Sequence, residues 1–168
     1  MSYTEIYSIG SNHCLELGEV KNAWRGAMYV WNQIAREYFG LDCFPHFDSD
    51  LQKRVWNAAN YHDLSQSEII VLASTMDRVT VKSSDLPRLI SAFEQYGEKH
   101  FQSSFNEQAI ILKSADLLPE HKIAWNQTSV NCFDYLPIHD ESTDTYIYSD
   151  LEGSWDLFEQ IDSVNEEN

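Results

Sequence analysis

After Lys122 the chain contains no lysine or arginine, yet the 46 residues that follow hold eleven Asp and Glu. A segment with a formal charge of −11 and no cation of its own folds only if its apolar residues recur at spacings that bury them. Here they do. Ile123 to Val130 and Thr143 to Ser149 have the alternation and the β-branched and aromatic content of strands, with a loop around Tyr135 to Ser142 between them. A helix over about 154–164 places Trp155, Phe158, Ile161 and Val164 on one side, and Asn165 to Asn168 are expected to fray. The acidic subregion 123–164 therefore reads as part of a single globular domain spanning 1–164, and not as a loose polyanionic appendage.

Upstream, the same two periodicities alternate. Tyr3 to Ile9 and His13 to Leu17 read as a hairpin about Gly10-Ser11-Asn12. Trp24, Ala27, Met28, Trp31, Ile34, Ala35 and Tyr38 recur at three- and four-residue steps, predicting a helix over about 22–39 with Gly40 as its C-terminal cap. Gly26 inside that stretch costs about 1 kcal/mol against alanine, which points to a close backbone contact there. Pro45 breaks the pattern, and Asp48 or Ser49 caps a helix over about 50–60. Ser65 and Glu68 have capping-box spacing for a helix ending near Thr75, and Ser104 and Glu107 repeat that spacing before a helix over about 105–116. Between them, Arg78 to Lys82 alternates like a strand, and Leu86, Leu89, Ile90, Phe93 and Tyr96 form a helical stripe ended by Gly97. The expected fold is α+β: an N-terminal hairpin and about three further strands packed with about six helices.

At 168 residues, 43% hydrophobic and 13% aromatic, the chain has ample material for one core. The start, MSYTEIYSIG, lacks the basic-then-apolar layout of a signal peptide, and there is no run of apolar residues of membrane-spanning length. Cys14, Cys43 and Cys132 are odd in number and widely spaced, which fits reduced core thiols and a cytoplasmic location.

The whole chain carries −16, of which residues 1–122 contribute −5. Nucleic acid and anionic membrane are disfavoured as direct ligands, because both are bound through lysine and arginine. The field instead attracts a basic protein partner, over roughly 8–10 Å at physiological salt. The alternative is that the charge serves solubility alone. In Thr143 to Asp150 the period of two puts Asp144, Tyr146, Tyr148 and Asp150 on one face, with Thr145, Ile147 and Ser149 on the other. Glu152, Asp156 and Glu159 follow at four- and three-residue steps, a carboxylate ridge if the last helix begins early enough. Carboxylates beside phenol rings suit guanidinium groups, which fork onto the former and stack on the latter. These seven residues are the candidate partner-binding surface. A rigid acidic and aromatic face of this kind could occupy a nucleic-acid groove as a mimic. The alternative is that Tyr146 and Tyr148 pack inward.

Enzymatic readings rest on less. His62-Asp63 and His139-Asp140 resemble the signature of the metal-dependent phosphohydrolases named for that pair, and the resemblance implies metal ligation by these residues. Asp48, Asp50 and Glu141 could complete such a site. The resemblance covers the dipeptides alone: that family is essentially all-helical, whereas His139-Asp140 falls in an expected loop between strands. Cys43-Phe44-Pro45-His46 offers two zinc ligands without a second pair. His13 and Cys14, adjacent in a strand, point to opposite faces and cannot form a nucleophile pair with each other. The six glycines are too dispersed for a phosphate-binding loop. Trp125 to Asn131 crowds amides and hydroxyls into a strand, which suits either a small-molecule pocket or a buried amide network.

In size and charge the chain is similar to two groups of small inhibitors, the anti-defence proteins of phages and mobile elements, anti-CRISPR proteins included, and the immunity proteins that neutralise nuclease toxins. The leading expectation is a non-enzymatic inhibitor, without cofactor or metal, that blocks a basic nucleic-acid-binding surface. A metal-dependent hydrolase and a structural or regulatory subunit are the alternatives.

Overall fold

Strands β1 (Thr4–Gly10) and β2 (His13–Val20) pair antiparallel about a two-residue turn, Ser11–Asn12. β2 outlasts the alternation of its sequence because the register shifts between Ile6, opposite Gly18, and Tyr7, opposite Glu16, leaving Leu17 as an extra residue that packs against the core. The structure is a computed structural model that describes residues 3–21, 26–127 and 136–166.

Helix α1 (Ala27–Phe39) starts after Gly26, whose φ of 80° makes it the N-cap and not an interior residue. A Cβ there would lie 3.1 Å from the Phe105 ring, so the close contact expected of this glycine exists. The expected first turn, with Trp24, lies outside the described residues. α2 (Asp50–Trp56) is capped by Ser49, whose hydroxyl accepts from the Gln52 amide at 3.1 Å, and gives way to a 3₁₀ turn over Ala58–Asn60. α3 (Gln66–Ser74) carries the full capping box: Ser65 accepts from the Glu68 amide and Glu68 accepts from the Ser65 amide.

After β3 (Val79–Lys82), helix α4 (Leu86–His100) runs straight through Gly97 and ends only where Phe101 turns left-handed at φ 54°. Gly97 is a packing position, since a Cβ there would meet the Asn106 side-chain oxygen at 2.3 Å. It lets α5 (Ser103–Lys113) cross close to α4. The capping box expected of Ser104 and Glu107 does not form. Gln102 occupies the N-cap without a side-chain bond, Ser104 is already inside the helix, and its hydroxyl is buried without a partner.

β4 (Lys122–Gln127) is followed in the acidic region by β5 (Ile138–Asp140), β6 (Thr145–Ile147), β7 (Trp155–Asp156) and α6 (Leu157–Glu166). The sheet order is β2-β1-β4-β3-β7, antiparallel except for the parallel β3–β7 pair, and β5–β6 form a separate two-stranded ribbon. The α+β architecture is as expected, with two differences. The stretch read as a loop contains β5, and a two-residue strand joins the sheet ahead of α6. Residues 128–130 of the expected strand and the Val164 side chain lie outside what is described. The last helix continues through Asn165 and Glu166, where fraying was expected.

Among the described residues, α1 to α6 all contribute side chains to the core on one face of the sheet. Ile6, Val81, Ile123 and Trp125 meet Val30, Ile34, Leu89, Phe93, Leu112 and Phe158 in one core. Burial of each large side chain there is worth about 1.5–3 kcal/mol. The opposite face carries a small cluster, Tyr7, Ile9 and Ala124, covered by Cys14 and Leu151. The amides expected to crowd β4 divide between these faces: Trp125 donates to Gln108 at 3.1 Å inside the core, and Asn126 donates to Glu5 at 2.9 Å on the other side. Only the first of these bonds is buried, and Thr128 to Asn131 lie outside the described residues. Cys43 is exposed, contrary to the expectation of a core thiol, because Phe44 beside it takes the inward position; Cys14 is half-buried and Cys132 is not described. Among the described residues no helix is long and apolar enough to cross a membrane.

Candidate functional site

The β5–β6 ribbon pairs Ile138 with Ile147, His139 with Tyr146 and Asp140 with Thr145. Directly opposed residues share a face, so one face presents Ile138 and Ile147 and the other His139 and Tyr146. Neither face is buried: Ile138 is 67% exposed, Tyr146 59% and Ile147 57%. The rings of His139 and Tyr146 lie 5.1 Å apart, and His139 Nε2 is 3.2 Å from an Asp144 carboxylate oxygen. Asp144 sits in the turn at φ 52° and is brought to Tyr146 through His139, not by strand alternation. The period of two ends at Ile147. Beyond it Tyr148 is half-buried, and Asp150 is exposed in a turn, where its side chain accepts from the Glu152 amide at 2.8 Å.

The tail acids whose side chains are described fall into two sets. Asp156 ends β7 and is buried; one carboxylate oxygen accepts from the amides of Phe158 and Glu159, both at 3.1 Å, which makes it the cap of α6. Glu159 is hydrogen-bonded by Lys82, and Asp162 takes two bonds from Arg88, at 2.8 and 2.9 Å. Cations from β3 and α4 thus pair with Glu159 and Asp162 and tie α6 to the rest of the fold. The ridge expected of Glu152, Asp156 and Glu159 does not form, because the helix begins at Leu157 and leaves Glu152 in the preceding turn. The second set is Asp140, Glu141, Asp144, Asp150 and Glu152. All but the half-buried Asp140 are exposed, and among the described residues none of the five has a lysine or arginine within ion-pair distance. Asp140 and Glu141, offered by the sequence only as metal ligands, stand outside the expected partner-binding surface because their segment reads as a loop without a defined face.

A different cluster lies where α1, α3 and α4 meet. Glu68 is fully buried; one carboxylate oxygen accepts from the Ser65 amide, the Ser65 hydroxyl and Tyr38, at 3.0, 2.6 and 2.9 Å. Its other oxygen accepts from Lys99 at 2.9 Å. Burial alone would raise its pKa, but the bonds from Ser65, Lys99 and Tyr38 outweigh burial and hold it at about 2. Burial and the Lys99 charge push the neighbouring His100 imidazole below its ordinary value. The Ser65–Glu68 spacing marks Glu68 as a cap and carries no signal that the same carboxylate gathers residues from two other helices.

The other candidate pairs stay apart. His13 stacks on His121 at 4.1 Å and reaches Ser8, while Cys14 packs on the far side of the sheet against the Tyr7–Ile9 cluster. His62 packs edge-on against Phe39 at 4.5 Å, and His139 is on the ribbon. Among the described residues, neither His-Asp pair belongs to a group of three ligand atoms close enough to share a metal. Set beside models of protein families, curated proteins and solved structures, the chain matches none of them.

Proposed function

We propose that this chain is a non-enzymatic inhibitor that binds a basic, nucleic-acid-binding surface of a protein partner through the β5–β6 ribbon and the turn that follows it. One observation carries the reading: Glu159 and Asp162 of α6 are bound by Lys82 and Arg88, whereas among the described residues no lysine or arginine pairs with the acids of the ribbon and turn, around exposed Tyr146, Ile138 and Ile147. Guanidinium groups that otherwise hold phosphates would fork onto these carboxylates and stack on Tyr146, with the aliphatic pair filling space that bases would otherwise take. Anti-defence proteins of phages and mobile elements, such as anti-CRISPR proteins, and immunity proteins against nuclease toxins are the two settings in which such an inhibitor would act. Asp144, Tyr146, Asp150 and Glu152 keep the role expected of them, Asp140 and Glu141 join them, and Asp156 and Glu159 are assigned to holding α6.

The test is cross-linking from the ribbon in the native host, identification of the captured protein, and competition with its nucleic acid. Mutual exclusion between this chain and nucleic acid on a purified basic enzyme supports the reading; a ternary complex of all three contradicts it.

A further inference from the structure

We propose that Glu37, Glu68 and His100 form a binding site for a divalent first-row transition metal ion, at the position that the Lys99 ammonium now neutralises. One donor atom from each of the three lies within 4.8 Å of the others. Two carboxylates alone would be an ordinary acidic cluster. The imidazole sets this one apart: the His100 side chain is only 9% exposed, and its Nε2 is sealed from solvent, 3.5 Å from the Glu68 oxygen, without a hydrogen bond. Nε2 is near the Glu68 oxygen without being aimed at it, so neither an N–H nor a lone pair there finds a partner. With Nε2 unprotonated, a cation beside the two takes one lone pair from each.

The cluster already holds a positive charge in the right place. Lys99 Nζ lies 2.9 Å from Glu68 and 3.9 Å from Glu37, and no other lysine or arginine reaches Glu68 among the described residues. The Lys99 side chain is 46% exposed, so it can swing into solvent at little cost when a metal takes its place. Tetrahedral zinc, with bonds of about 2.0–2.2 Å to nitrogen and carboxylate oxygen, needs its donors closer together than they now stand. Glu37, at 45% exposure and bonded through its other oxygen to the Gln33 side-chain amide, is the more mobile of the two carboxylates. Glu68 is fixed by its bonds from Ser65 and Tyr38, which act as the outer shell of the site. Glu37 and Gln33 also line an open groove with Tyr29, Asn32 and Arg36, which leaves room for water as a fourth ligand. An imidazole with two carboxylates favours zinc or manganese over magnesium.

Isothermal titration of EDTA-treated protein with zinc chloride, and with magnesium chloride as control, tests the site. The expected result is one zinc per chain and no magnesium uptake. Lys99→Met removes the competing ammonium and should tighten zinc binding about tenfold or more, whereas His100→Ala and Glu37→Gln should each weaken it about tenfold or more. Glu37→Gln is a partly exposed, near-isosteric change, so it remains informative if His100→Ala fails to fold. Absence of one-to-one uptake by both the unaltered protein and Lys99→Met overturns the proposal, as does uptake that Glu37→Gln leaves unchanged.

Discussion

Arg88 on α4 grips Asp162 on α6 through two hydrogen bonds of 2.8 and 2.9 Å, and its guanidinium lies 4.1 Å above the ring of Phe158. One side chain thus binds the charge and covers an aromatic ring of the helix that ends the acidic region. An exposed ion pair contributes about 0.2–1 kcal/mol and a cation over a ring about 0.5–1 kcal/mol. Arg88→Ala should therefore cost about 1 kcal/mol in urea denaturation. Arg88→Lys should recover less than half of that, since lysine keeps the charge but loses the fork and the stacking.

Gly97 separates two readings of a glycine near a helix end. As a cap it would prefer to stay glycine on conformational grounds; as a packing position inside α4 it is limited by the Asn106 oxygen, 2.3 Å from where a Cβ would stand. Gly97→Ala should destabilise the protein by about 1 kcal/mol despite the better helix propensity of alanine. In an Asn106→Ala background the obstruction is gone, and Gly97→Ala should become stabilising, by up to about 1 kcal/mol. Equilibrium denaturation of the four variants measures the reversal.

Glu68 imposes a defined pH dependence. Its folded pKa of about 2 lies below the ordinary 4.5, so the unfolded chain binds the proton more readily. The stability it contributes is fully present above about pH 4.5 and is lost as pH falls through about 2. The amount is on the order of 3 kcal/mol. Denaturation of metal-free protein between pH 5 and pH 2 should show this slope, and Glu68→Gln should flatten it. An unchanged slope in the variant would assign the acid sensitivity to other carboxylates.

The ribbon should be dispensable for folding. Ile138 and Ile147 face each other across β5 and β6 but reach no core cluster among the described residues, so replacing both with serine should change the unfolding free energy by no more than about 0.5 kcal/mol. Loss of partner binding with unchanged denaturation is the expected pair of results. A large loss of stability would place these residues in the fold instead.

What the sequence reveals of this fold follows from how far each signal repeats. The stripes of α1 and α4, the caps at Ser49 and Ser65 and the first hairpin are legible because several residues repeat one spacing. β7 is two residues long and owes its place to the parallel partner β3 and to Trp155 donating to the Asp77 carbonyl at 2.8 Å, both remote in sequence. β5 is hidden by Pro137 and by the polar His139-Asp140, which carry no alternation. The acidic surface is legible as a total but not in its division. Asp156, Glu159 and Asp162 look no different from Asp140, Asp144 and Asp150 until Lys82, Arg88 and two backbone amides are brought to them by the fold.

That division is the central claim, and one comparison tests it most directly. Affinity for the captured basic partner is measured across a series of salt concentrations for two sets of substitutions, Asp140→Asn with Glu141→Gln, Asp144→Asn, Asp150→Asn and Glu152→Gln, and Glu159→Gln with Asp162→Asn. The first set should weaken binding by two orders of magnitude or more, on the order of 3 kcal/mol, and flatten its salt dependence, with stability unchanged. The second should lower stability and leave affinity within about twofold. Full affinity and an unchanged salt slope in the first set would contradict the account.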